Sequence, residues 1–189
     1  MATGYKNSLT YLTTAAVYYW AAAELDLTIN TSYYQDFQHL RMVMQTSSNQ
    51  SADNMGSTFK VEYNGDTTAS NYFKTMYYNT SGDSTFTHYT GQDNLFAFYG
   101  GRYNTNGSGT YNSYGSDTLV IGDFYNVHSS SLKKQFKARL VQCDKEATFY
   151  SGFVQGIWNN TDAITNIKWV FPNFIMSGSA ITWYGYNSE

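Results

Sequence analysis

Apolar and polar side chains alternate with a period of two along much of this chain, the mark of strands with one buried face. Leu25, Leu27 and Ile29 alternate with Asp26 and Thr28. Leu40, Met42 and Met44 alternate with Arg41, Val43 and Gln45. Phe59, Val61 and Tyr63 alternate with Lys60 and Glu62, and that run ends at Asn64-Gly65, a pair that tolerates the positive φ of a tight turn. Leu119 to Tyr125 is apolar around a Gly-Asp interruption, and Phe136, Ala138 and Leu140 face away from Lys137 and Arg139. Leu95 to Tyr99, Thr148 to Ile157, Ala163 to Phe171 and Ile181 to Tyr184 complete the set. Roughly nine or ten strands with linkers too short for crossover helices predict an all-β antiparallel fold, closed or sandwiched.

Three regions break the alternation. Tyr11 to Ala23 (YLTTAAVYYWAAA) is the least polar stretch; its alanines suit a short helix, or an arm packed on a neighbouring subunit. It lacks a basic flank and a clean cleavage site, so it reads poorly as a secretion signal. Tyr72, Phe73, Met76 and Tyr77 have helix-like spacing and suggest a short helix or a packed aromatic loop. Thr46 to Ser57 and Gly100 to Gly115 are polar and read as loops. No linker divides the chain, which gives an N-terminal arm over residues 1–23 and one sandwich domain over 24–189.

Composition narrows the function classes. The 189 residues carry 11 basic and 14 acidic side chains, a net charge of −3, which disfavours general nucleic-acid binding. One cysteine, Cys143, excludes an internal disulfide framework and a multi-cysteine metal site. No apolar run approaches the roughly 18 residues of a transmembrane helix, so no membrane association is expected. His39, His88 and His128 have no ligand spacing and read as surface or loop histidines. Cys143 lies beside Asp144 and Glu146, which oppose a thiolate, and Gly178-Ser179 is not a nucleophile elbow. Asn64-Gly65-Asp66 and Ser81-Gly82-Asp83 read as Asx-type turns without calcium-loop spacing. The chain is therefore expected to be non-enzymatic, with no cofactor and no metal.

Two features point to contact surfaces. The basic cluster Lys133, Lys134, Lys137 and Arg139 places Lys137 and Arg139 on one strand face, suited to an acidic neighbour, to a phosphate or simply to solvent. The chain also holds 19 Tyr, 12 Phe and 4 Trp, more large aromatics than a core of this size requires. Tyrosine gives rigid apolar area with a polar tip and suits partly wet interfaces. Tyr18, Tyr19, Trp20, Tyr99, Tyr103 and Tyr111, with Lys137 and Arg139, are the candidate interface residues. A homo-oligomer, a trimer first, is expected, and the Tyr99 to Tyr114 region is also a candidate glycan surface.

Four stretches then suggest a family. Asn173-Phe174 followed by Ser177-Gly178-Ser179-Ala180-Ile181-Thr182-Trp183-Tyr184-Gly185 resembles the closing signature of tailed-phage virion structural proteins, with Trp183 and Tyr186 where that pattern has Leu and Ile. Tyr34-Gln35-Asp36-Phe37-Gln38-His39-Leu40 resembles the entry to the second strand, and Val61 to Asp66 with Asn71-Tyr72 resembles the "F-N-g-D … n-Y" stretch. Trp158 with Ala163-Ile164-Thr165-Asn166-Ile167 resembles a further strand of that pattern. The resemblance implies an antiparallel β-sandwich of jelly-roll type, used in virions without catalysis and assembled in the host bacterial cytoplasm. Head decoration or cement bound to the major capsid protein is the first expectation. A tail or fibre component, including a receptor- or glycan-binding module, is the alternative.

Overall fold

The computed structural model describes residues 9–16, 22–28, 34–47, 60–80, 87–92, 117–143, 149–175 and 179–187. These residues form eleven strands and two short 3-10 turns. The strands are β1 (Thr10–Ala16), β2 (Ala22–Thr28), β3 (His39–Ser47), β4 (Lys60–Tyr63), β5 (Tyr72–Thr80), β6 (Thr87–Gln92), β7 (Asp117–Tyr125), β8 (Lys134–Cys143), β9 (Phe149–Trp158), β10 (Asn166–Ile175) and β11 (Ala180–Tyr186). One sheet holds eight strands in the order β1-β11-β3-β7-β8-β9-β5-β6, and the other holds three in the order β2-β10-β4. Every pairing is antiparallel. The fold is an all-β antiparallel sandwich.

The alternation seen in the sequence sets which face is buried. Leu40, Met42 and Met44 of β3, Val120 and Phe124 of β7, Phe136, Ala138 and Leu140 of β8, Val154 and Trp158 of β9, and Ile181 and Trp183 of β11 all point inward. The small sheet answers with Val61, Tyr63, Ile167 and Trp169. Aromatic rings bridge the layers, with Tyr63 of β4 edge-on to Trp158 at 5.4 Å and to Phe124 at 6.1 Å; within the large sheet Phe124 packs against Phe136 at 4.7 Å and Trp183 at 5.2 Å. Each such ring removes a large apolar area from water and adds its own ring-to-ring preference.

Two stretches differ from the helical expectation. Thr10–Ala16, within the stretch read as helix or arm, is an edge strand paired with β11. Alanine's helix propensity is a weak bias, and Thr10, Tyr11, Thr13 and Thr14 fit a pleated surface better. Tyr11 meets the Tyr184 ring edge-on at 6.2 Å, a cross-strand pair open only to a strand. Tyr72–Thr80 is strand β5, held between β9 and β6. The helical spacing of its aromatics arises because both faces carry them: Tyr72 and Met76 are buried, while Phe73 is exposed on the outer face. Leu95 to Tyr99, the Gly100 to Gly115 loop, the Ser81-Gly82-Asp83 turn and Gly178 lie outside the described residues.

One end of the sandwich is closed by a hydrogen-bonded turn. Asn64 and Gly65 both have positive φ, 53° and 71°, and the Asp66 amide donates to the Tyr63 carbonyl at 2.8 Å. That geometry needs an asparagine and a glycine. The turn sets the Asp66 carboxylate as an acceptor on both oxygens. Oδ1 takes the Thr68 amide at 2.9 Å, and Oδ2 takes the Asn71 amide group and the Trp158 indole N–H, each at 2.8 Å. The Tyr72 hydroxyl donates to the Asp66 carbonyl and accepts the Tyr63 amide. The Asn64 carboxamide oxygen accepts the Thr165 and Asn166 amides, and its nitrogen donates to the Ala163 carbonyl. Strands β4 and β10 of the small sheet are thus joined to β5 and β9 of the large one.

The adjoining corner is fixed by close packing. The Phe37 ring lies on Gly185 of β11, where an added Cβ would meet three ring atoms at 2.8 Å or less. The Asn187 side chain donates to the Asp36 carbonyl and accepts the Gln38 amide.

Burial pushes the Asp66 carboxyl up, but the donors from Trp158, Thr68 and Asn71 together outweigh it and hold it below the usual carboxylate range. A depressed carboxyl contributes stability above its unfolded value, near pH 4, and loses that contribution as pH falls through the folded value. Asp66→Asn should cost about 2 kcal/mol at pH 7, a figure set by the charge-assisted bonds and reduced for partial exposure. The gap between variant and wild type should narrow as the pH is lowered below about 4, read by urea denaturation across pH.

Candidate functional site

The inner face of the large sheet is occupied by the core, so its outer face is the broad surface open to partners. Register places its side chains in rows across the strands. One row runs Tyr184, Arg41, Asp123, Lys137 and Gln155. The next runs Thr182, Val43, Ile121, Arg139 and Phe153. A third runs Gln45, Leu119, Val141 and Ser151. Leu119 and Ile121 are each 42% exposed and Val141 is 44% exposed, so three large aliphatic side chains in neighbouring positions face solvent. Singly such residues are ordinary; side by side they form a patch that marks a contact surface.

Lys137 and Arg139 lie within this face, on exposed positions of β8. Asp123, directly across from Lys137, is already held by Arg41, whose Nε and Nη2 donate to its two oxygens at 2.8 and 3.1 Å. The Asp123 hydrogen bond holds the Arg41 guanidinium above its ordinary value, against the opposing effect of burial. The Tyr186 hydroxyl also donates to Asp123 at 3.3 Å, and Arg41 lies 5.7 Å above its ring. Burial first, then the Asp123 charge, pushes the Tyr186 hydroxyl up. Neither Lys137 nor Arg139 has an ion pair among the described residues.

The rest of the expected basic cluster divides. Lys134 is not part of the surface stripe: its side chain is fully buried, and its Nζ donates to the Ser129, Leu132 and Thr161 carbonyls. Strand alternation turns it inward with Phe136 and Ala138, and the three carbonyls replace its water. Burial pulls this ammonium below its ordinary value, with the Asp162 carboxylate acting the other way. Lys134→Met should cost about 3 kcal/mol by leaving carbonyls unpaired, whereas Lys137→Met should stay within about 0.5 kcal/mol of wild type, as thermal or urea unfolding would show.

His39 also departs from the surface reading. It is buried between the rings of Tyr125 and Tyr186, at 5.4 and 5.2 Å, and its Nδ1 accepts the Asn126 amide. Burial lowers its pKa, partly countered by the Gln38 backbone and the Asp123 charge. His128 bonds the Tyr34 carbonyl at 2.7 Å. No three of His, Cys, Asp and Glu come together as a metal-binding group among the described residues.

Of the candidate interface residues, Lys137 and Arg139 are brought together on one face, while Tyr18, Tyr19, Trp20, Tyr99, Tyr103 and Tyr111 lie outside the described residues. The sequence reading missed Leu119, Ile121 and Val141. Its available signal was the unbroken run Leu119-Val120-Ile121, which puts aliphatic side chains on both faces of β7. Comparison with known proteins yields no match: no family model, no curated protein and no solved structure aligns with this chain.

Proposed function

We propose that this chain is a non-catalytic virion structural protein of a tailed phage, a head decoration or cement protein that stabilises an assembled shell. The observation that carries the reading is that the family-like stretches meet in pairs, at two places in the fold. Asn64 and Asp66 come from the third-strand stretch, Trp158 and Thr165 from the fourth, and they are hydrogen-bonded to one another. Phe37 from the second-strand entry packs on Gly185 of the closing stretch. Residues that look like scattered motif matches therefore act together in holding the sandwich, which supports a likeness of fold with that family.

The outer sheet face supports a role in protein contact, since its aliphatic and basic side chains offer area and charge to a protein partner. A cement protein acts by mass action: it binds the assembled shell more tightly than its free subunits and so shifts the equilibrium toward the shell. Imaging of intact particles of the encoding phage should find copies at repeated lattice points of the head, and heads lacking the protein should open at lower temperature. Copies found only on the tail would replace this reading with the tail component, and absence from particles would end both.

A further inference from the structure

We infer that His39 is a pH-sensitive latch on the turn after β7: the neutral ring holds residues 126–129 against the sandwich, and a protonated ring releases them. His39 opens β3 and is buried, with 7% exposure. Its Nδ1 accepts the Asn126 amide at 3.2 Å, so the neutral ring carries its hydrogen on the other nitrogen. Protonation puts a second N–H on Nδ1, two donors then face each other, and the hydrogen bond is lost. The groups that favour the proton are already committed. The Gln38 carbonyl accepts the Val127 amide at 3.1 Å. The Asp123 carboxylate of β7 takes Arg41 of β3 and the Tyr186 hydroxyl. No further charged group among the described residues acts on the ring. Tyr125 of β7 and Tyr186 of β11 pack their rings on the imidazole at 5.4 and 5.2 Å, in place of water.

The turn depends on that bond. Asn126 has a φ of 62°, in the left-handed region, which asparagine tolerates better than most residues but which still needs support from its surroundings. Next to it Val127 is fully buried, and its carbonyl takes the Ile164 amide at 2.7 Å. The Ser129 amide closes the turn on the Asn126 carbonyl, and the Ser129 carbonyl receives the Lys134 ammonium. Losing the bond to His39 therefore loosens a series of contacts that ends in the core. Burial holds the imidazole below its ordinary value of 6.5, so the closed turn takes up the proton at lower pH than the open one. The contribution to stability is complete above about pH 6.5 and is lost as the pH falls below it. The loss levels off once the pH is below the closed-state value.

Amide hydrogen exchange of the full chain from about pH 7.5 to about pH 5, corrected for the intrinsic rate at each pH, tests this together with an NMR titration of the imidazole. Opening at the Asn126, Val127 and Ser129 amides should rise at least about fivefold over that range, while amides in the middle of β8 keep their protection. The His39 ring should titrate below its ordinary value. The side-chain oxygen of His39→Asn can take the Asn126 amide and does not titrate, so this variant should hold the turn and remove the pH dependence. His39→Gln replaces it if it does not fold. A ring that titrates at or above its ordinary value means that the tyrosine faces hold the cation, and it overturns the latch. Protection at the turn that stays constant with pH overturns it too. So does a pH-dependent loss that persists in the variant, since that loss belongs to another group. An equal loss across β8 is a change in global stability and also contradicts the latch. The wild-type titration and exchange decide the matter even where neither variant folds.

Discussion

The Asp66 carboxylate is the point on which the two sheets depend. A single side chain from the turn after β4 accepts the indole N–H of Trp158 on β9, the side-chain amide of Asn71 and the backbone amide of Thr68. Sheet-on-sheet packing is driven by apolar area and is non-directional, so it leaves the angle and register of the layers open. Hydrogen bonds are directional and supply the missing constraint. The indole N–H would be costly to bury without an acceptor, so Trp158 can lie in the core only where the turn presents one. The positive φ of Asn64 and Gly65 aims that acceptor.

The same economy of polar groups explains the other features of this end. Lys134 carries its charge into the interior because three carbonyls of irregular backbone need donors there. Asn64 serves the backbone between Ala163 and Asn166, on the approach to β10. Buried polar atoms that are fully served fix one arrangement, and a partial set would be worse than none. The opposite face of the large sheet has no comparable polar network beyond the Arg41–Asp123–Tyr186 group among the described residues, and it exposes aliphatic area. Order is set at one end and in the core, which leaves the broad outer face available for contact.

Strands with strict alternation were legible in the sequence, because period two maps directly onto faces. Leu40, Met42 and Met44 inward, and Lys137 and Arg139 outward, stand where the pattern puts them. Strands with aromatic or small residues on both faces were not legible, as with β5, whose Tyr72, Phe73, Met76 and Tyr77 mimic a helical stripe. β1 was hidden because its strand character comes from its partner β11 and not from its own alanines. Lys134 and His39 were misplaced for a related reason: the groups that make their burial tolerable come from loops and rings distant in sequence. The turn at Asn64-Gly65 could be read locally; its bond to Trp158 could not, since 92 residues separate the partners.

The measurement that bears most directly on this account is a double-mutant cycle between Asp66→Asn and Trp158→Phe, followed by urea denaturation at neutral pH. Phenylalanine keeps an aromatic ring and removes the indole donor, so the cycle isolates the hydrogen bond across the layers. A coupling free energy of about 1 kcal/mol or more, with the double variant less destabilised than the sum of the two singles, is what the account predicts. Additivity within about 0.3 kcal/mol would contradict it and would leave apolar packing alone as the connection between the sheets.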